Sequence, residues 1–213
     1  MTMVKFCGLS RPEDIAVANE LLPDMVGFVF ARASRRAVTG VAKKLGRALA
    51  PSIRRVGVFM EVKMPEIAEM VKRGVIDTVQ LHAPCAFEVS EAQISELRRA
   101  TKGAELQIIR AFGVSDTTLL HEAERTSADL VLLDNPRGGS GEAFDHALLE
   151  GFARPYILSG GLTPENVAPL LERWRPWGVD VSSGIEVAGQ KNRDKMIAFL
   201  KAVRMFDGEG IGR

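Results

Sequence analysis

Hydrophobic and polar positions along this chain repeat in two periods, and the periods take turns. Short β-branched and aromatic runs occupy 4–7, 25–30, 54–60, 78–82, 105–112, 130–134, 155–159 and 178–182. Runs of that length, bounded by glycine, proline and charge, read as strands buried on both faces. Between them, apolar residues recur three and four apart at 12–22, 40–50, 64–73, 90–101, 115–126, 145–152, 164–174 and 192–205. These windows read as amphipathic helices. Local chemistry supports the division. Ser10-Arg11-Pro12-Glu13 and Ser90-Glu91-Ala92-Gln93 have the form of capping boxes, which satisfy the first orphan N–H groups of a helix. Thr163-Pro164 places a cap before a proline at the first helical position, where its missing N–H costs nothing.

Eight strand–helix pairs in strict alternation predict parallel strands, covered either as a doubly wound sheet or as a closed barrel. The count of eight selects the α/β class with a single-domain (β/α)8 TIM barrel over 1–206, in a chain near the short end for one. No linker or shift in composition divides it. The glycine- and charge-rich segment 207–213 reads as a frayed tail. A content of 46% hydrophobic and 26% charged residues fits a soluble globular domain. The net charge of +1 offers nucleic acid no overall basic field. Arg32, Arg35, Arg36, Lys43, Lys44 and Arg47 form a local basic cluster whose lysines read as a solvated face. No apolar run approaches the roughly 18–20 residues of a membrane span, and the first residues lack a signal-peptide layout. Cys7 and Cys85 supply neither a disulfide framework nor a zinc spacing, which points to a reduced, cytoplasmic setting.

In such barrels the chemistry sits at the C-terminal ends of the strands. Here those ends carry Cys7, Phe30 to Arg36, Met60, Gln80 with His82, Arg110, Asp134, Ser159 to Gly161, and Ser182 to Gly184. The strand interiors are Val, Ile, Leu and Phe, so the polar residues crowd at one end. The stretch from Gly178 to Glu186 is the most informative. Its β-type run breaks into Ser182-Ser183-Gly184, a tight turn able to aim several donors at an anion. Ser159-Gly160-Gly161-Leu162 offers a second turn whose backbone can approach an oxygen closely. Together with a thiol at the end of the first strand, these turns suggest an enzyme acting on a phosphorylated sugar. In isolation, Cys7 would read as a small buried hydrophobe and Asp134 as a loop cap. Gln80, His82 and Arg110 are expected to point into the same mouth, although a lone strand histidine is more often structural.

Several segments carry a resemblance in their order and spacing: Lys5 to Asp14, Gly27 to Phe30, Val56 to Phe59, Val79 to His82, Leu133-Asp134, Gly138 to Gly141, Ser159 to Leu162 and Gly178 to Glu186. Along nearly its whole length the chain resembles the phosphoribosylanthranilate isomerase family, barrel enzymes of tryptophan biosynthesis. The resemblance implies an Amadori rearrangement of an N-phosphoribosyl arylamine to an open-chain 1-deoxyribulose phosphate. It implies no metal and no organic cofactor, because the iminium formed on ring opening is itself the electron sink. Cys7 matches the family's general base and Asp134 its general acid. Arg36 matches the arginine that grips the anthranilate carboxylate, with Arg35 the alternative if the register slips by one. Asp180 is either a contact to a ribulose hydroxyl or a turn-stabilising aspartate. Gln80 and His82 line the substrate pocket, and Gly160, Gly161, Ser182, Ser183 and Gly184 form the phosphate site. The implied partner is a small phosphoribosyl substrate, with no nucleic acid or membrane; monomer and homodimer both stay open.

The chain departs from the family pattern in four places. The segment from Asp134 to Gly138 is short and carries Arg137, His146 stands where tryptophan is common, Ala31 to Ala37 lacks the usual proline and tyrosine, and Ala83-Pro84 replaces a glycine. Two other readings compete. A related sugar isomerase acting on a phosphoribosyl imidazole in the histidine pathway, or a dual-substrate barrel serving both pathways, would carry aspartates in both catalytic positions and a second Gly-Gly turn after the early strands. A non-catalytic phosphate-ligand barrel would have lost Cys7 or Asp134.

Overall fold

The computed structural model describes residues 1–30, 34, 38, 40–61, 63–82, 89–136 and 143–208. Its strands are β1 (Met3–Cys7), β2 (Met25–Val29), β3 (Arg54–Phe59), β4 (Thr78–His82), β5 (Gln107–Gly113), β6 (Leu130–Asp134), β7 (Tyr156–Leu158) and β8 (Gly178–Val181). All eight run parallel and close into a barrel in chain order, β1 pairing with both β2 and β8. The helices are α1 (Pro12–Leu21), α2 (Ala42–Ala48), α3 (Met64–Lys72), α4 (Glu91–Ala100), α5 (Thr117–Arg125), α6 (Val167–Trp174) and α7 (Arg193–Phe206). A two-stranded hairpin, β9 (Glu186–Val187) and β10 (Gln190–Lys191), follows β8. Ala188 and Gly189, both at positive φ, turn it.

The expected barrel is present, with corrections at one helix, one helix cap and one helix start. The window 145–152 forms only a 3-10 turn, His146–Leu149. Asp145 caps it by accepting from the Ala147 N–H, and Gly151 at φ 85° ends it, leaving too little chain for an α-helix. At α1 the reciprocal cap sits one residue later than Ser10 and Glu13: the Asp14 carboxylate accepts from the N–H groups of Ser10 and Arg11. Thr163-Pro164 lies in a turn ahead of α6, which begins at Val167. The Ser90–Gln93 box at α4 forms as expected.

Side chains alternate across each strand. Met25, Val29, Val56, Val58, Ile109, Ala111, Leu130, Leu132, Ile157 and Cys7 form a cluster containing no helical residue, and this fills the barrel. The alternate set, such as Phe6, Phe28, Val131 and Val179, packs against Ile15, Leu45, Leu171 and Phe199 of the helices. This parity corrects one expectation. Arg110 lies between Ile109 and Ala111, so it faces outward, away from the mouth. Its guanidinium donates to Glu91 at 3.0 Å and to Glu122, and rests 4.6 Å from the Phe112 ring centre. It pins α4 and α5 to the sheet.

The last helix closes the chain on its start. Arg204 donates to the Thr2 carbonyl at 2.8 Å, and Asp207 accepts from the Thr2 N–H and hydroxyl. Asp207 is thus anchored; residues after Gly208 lie outside the described residues. No helix among the described residues is long and apolar enough to cross a membrane.

Candidate active site

Each inward position at the C-terminal rim is set by strand phase. Lys5 and Cys7 share the inward face of β1, and Thr78, Gln80 and His82 that of β4. Asp134 ends β6 on the same phase as Leu130 and Leu132, and Asp180 is the inward residue of β8. Register places Lys5 beside Asp180 and Cys7 beside Gly27. The Lys5 side chain is only 1% exposed, and its ammonium donates to Asp180 Oδ1 at 2.9 Å. Burial works against that charge, but Asp180 and Cys7 hold the Lys5 pKa above its ordinary value. Gly27 makes the room. A Cβ there would lie 2.9 Å from the Cys7 Sγ and 3.3 Å from the Lys5 Cε.

Cys7 is buried and free of any disulfide. Burial pushes its thiol up; Lys5 and Lys191 pull it down, and Asp180 raises it further. Asp134, 7% exposed, is pushed up to about 6 by burial. The Asn135 N–H, 2.8 Å from its Oδ1, opposes this, Asp180 adds to it, and Lys5 and the Ser159 hydroxyl work against it. His82 is lowered by burial and by Lys5 against an opposing pull from Asp180, so it stays neutral near pH 7. Gln80 is 2% exposed, and among the described residues its Oε1 finds no partner.

The two glycine turns meet at the rim. Gly160 and Gly161 adopt φ of 89° and 65°, a region that side chains rarely enter. Asn166 braces that turn from behind, donating to the Gly161 carbonyl at 2.9 Å and accepting from the Thr163 N–H at 2.8 Å. Gly184 abuts it so tightly that a Cβ there would fall 1.8 Å from the Leu162 carbonyl oxygen. Ser183 and Gly184 lie in a 3-10 turn, Ser183–Ile185. Ser182 serves differently: its hydroxyl donates to the Cys7 carbonyl at 3.1 Å and accepts from Lys191, tying the end of β8 to the end of β1.

Cys7, Gln80, His82, Asp134, Asp180 and the two turns therefore converge on one mouth. Arg36, with Arg32 and Arg35, lies outside the described residues. Two functional candidates escaped the sequence reading. Lys5 could have been found as a cation inside an apolar strand, two residues before Cys7 and so on the same face. Lys191 carried no such signal; it is buried by the β9–β10 hairpin, where it donates to Glu186 and to the Ser182 carbonyl at 2.8 Å each. A surface cleft between the β1–α1 turn and this hairpin lies to one side of the acid and thiol. Arg11, on its wall, is engaged with Asp14 and Gln190. Among the described residues no three His, Cys, Asp or Glu side chains are placed to hold a metal ion.

The sequence profile of the N-(5'phosphoribosyl)anthranilate (PRA) isomerase family matches residues 4–202. An N-(5'-phosphoribosyl)anthranilate isomerase of Lactiplantibacillus plantarum is 41% identical over 199 residues, covering 92% of this chain and 89% of that protein. The crystal structure of phosphoribosyl anthranilate isomerase from Thermus thermophilus superposes with a TM-score of 0.83 at 32% identity, covering 96% of this chain and 99% of that one. A structure of phosphoribosyl anthranilate isomerase bound to reduced 1-(o-carboxyphenylamino)-1-deoxyribulose 5-phosphate superposes with a TM-score of 0.80 at 31% identity, over 96% of this chain and 100% of that one.

Proposed function

Because the chain belongs to the N-(5'-phosphoribosyl)anthranilate isomerase family, an isomerase family of tryptophan biosynthesis, we propose that Cys7 and Asp134 drive an Amadori rearrangement in its barrel mouth. The substrate is N-(5-phosphoribosyl)anthranilate and the product 1-(2-carboxyphenylamino)-1-deoxyribulose 5-phosphate. Asp134 gives its proton to the ribose ring oxygen; the C1–O bond breaks, and the nitrogen lone pair forms the iminium. Cys7, as thiolate, takes the proton from C2. The C2–H electrons form the enolamine and neutralise the iminium, and the enolamine then ketonises. No electron leaves or enters, so the step needs no redox partner.

The observation that carries this reading is the pairing of environments. A buried carboxyl pushed up to about 6 and a buried thiol stand at the ends of β6 and β1 around one opening. A carboxyl held well above its ordinary value in a cleft is a candidate general acid. The two glycine turns after β7 and β8 suit the substrate phosphate, in the position where barrels of this kind commonly bind one. Gln80, whose Oε1 has no partner among the described residues, and His82 suit contacts to the sugar, and Arg36 suits the anthranilate carboxylate. The cytoplasm, whose reducing conditions keep a catalytic thiol free, suits this chemistry. Purified protein supplied with phosphoribosylanthranilate generated in place should form the deoxyribulose product, and the gene should rescue a tryptophan auxotroph lacking this step. Turnover of a phosphoribosyl imidazole substrate instead would favour the competing sugar isomerase.

A further inference from the structure

We propose that Lys5 and Asp180 are positioning residues, an oriented ion pair that sorts a single proton between Cys7 and Asp134, its ammonium end beside the thiol and its carboxylate end toward the acid. This rests on the acid and base roles just given. Around the barrel the strands run β1, β8, β7, β6, so a pair bridging β1 and β8 stands between Cys7 on β1 and Asp134 on β6. Lys5 shares its strand and face with Cys7, and both side chains crowd the space left by Gly27. Among the described residues, the charged groups that act on Cys7 are Lys5 on its own strand, Asp180 on β8 and Lys191 on β10. Asp180 and Lys5 act on Asp134, with the Ser159 hydroxyl from the turn after β7, and His82 looks onto the pair from β4. At Cys7 the influence of Lys5 outranks that of Asp180, and at Asp134 the order reverses. The placement gives the pair its direction: the ammonium is on the strand and face of the thiol, and the carboxylate is one strand nearer the acid.

That direction matters because of where the proton rests. Once Asp134 has ionised and before the thiol does, the two groups share one proton. The reaction requires it on Asp134 with Cys7 as thiolate. Burial disfavours both anions, and the ordinary acidities, a carboxyl far below a thiol, favour the opposite arrangement, carboxylate and thiol. A cation beside sulfur and an anion toward the carboxyl raise the population of the reactive arrangement. A buried ion pair returns little net stability against its desolvation, so its contribution here lies in orientation.

The test is the ionisation of Cys7 in the free enzyme, read from the rate of alkylation by iodoacetamide against pH, in a Cys85→Ser background. Lys5→Met should slow alkylation at neutral pH by ~10-fold or more, one unit of thiol pKa being tenfold in thiolate. The rate should converge on the parent's at high pH, where every thiol is ionised. Lys5→Arg should restore most of the parent rate. Asp180→Asn should instead speed alkylation at neutral pH. A merely structural pair would move both variants the same way, and that outcome, or no movement in either, overturns the proposal. Should Lys5→Met not fold, Asp180→Asn alone decides, since faster alkylation supports the orientation and an unchanged or slower rate refutes it. The underlying reading fails separately: a Cys7→Ala enzyme with parental kcat removes the base role, whatever the titrations show.

Discussion

A carboxyl at the end of a strand holds its proton up to about pH 6 only if water is withdrawn from it, and burial gives Asp134 that setting despite the Asn135 N–H. Cys7→Ala and Asp134→Asn should each lower kcat by at least ~10²-fold, the low end for a positioned proton-transfer group, with folding retained. An alanine variant keeping most of its kcat would return Cys7 to a packing role. In kcat/KM the raised thiol and the acid near 6 predict a rising limb at about pH 6 and a level stretch above it. The limb should vanish from the residual activity of Asp134→Asn, and its survival would assign it to another group. Arg36→Met should weaken substrate binding by ~2–4 kcal/mol, as when one member of a desolvated charge pair is removed, and Arg35→Met much less; the reverse order would show the register to be off by one. Cys7 and Asp134 were legible as strand-end positions, where apolar runs break, but in isolation they read as a buried hydrophobe and a loop cap, and only the family resemblance gave them base and acid roles. Arg110 was misread because a parallel strand buried on both faces has no hydropathic alternation to mark its inward side. Only pairing with β4 and β6 fixes the phase.

At the scale of elements, the strands could be placed within a residue or two, since each is a short apolar run with a clear break. Helix starts were less legible. Competing side-chain hydrogen bonds, as at Asp14, Asp145 and Thr163, decide where the first turn begins, and several residues nearby could have served. The Thr163 segment shows what such a shift is for. Asn166, instead of capping forward, reaches back to hold the Gly161 turn against which Gly184 packs. Two loops from successive strands thereby become one rim. Contacts to a phosphate persist from substrate to transition state, so they act as uniform binding. Ser183→Asp, at a half-buried position, should raise KM by more than ~10-fold while kcat changes little, the pattern of lost uniform binding. Gly184→Ala should do the same by forcing the two turns apart, and should also weaken inhibition by inorganic phosphate. An equal fall in kcat with unchanged KM would place the phosphate elsewhere.

The whole barrel bears the electrostatic cost of its mouth. Asp134 titrates near 6 in the folded chain against an ordinary value of 3.8. Between those two values the native state binds the proton more tightly than the unfolded chain, so this residue's contribution to stability is full below about pH 4 and is lost as pH rises through about 6. A shift of about two units corresponds to ~2–3 kcal/mol. Other groups titrate in or near the same range. His82, lowered by burial, works in the opposite sense as it charges below its ordinary value. At Glu91 burial is outweighed by hydrogen bonds from Ser127 and Thr126 and by Arg110, which hold it at about 2, so its contribution fades only in stronger acid. Comparing two chains that differ at one carboxyl removes both. Asp134→Asn keeps an oxygen for the Asn135 N–H and cannot ionise. By urea unfolding it should match the parent near pH 4 and exceed it by ~2–3 kcal/mol near pH 8. The same substitution that costs at least ~10²-fold in kcat should therefore stabilise the fold, and only on the alkaline side. A stability difference that does not grow with pH would mean the carboxyl is not held neutral by the fold, and the acid role would then rest on the bound substrate's own charge.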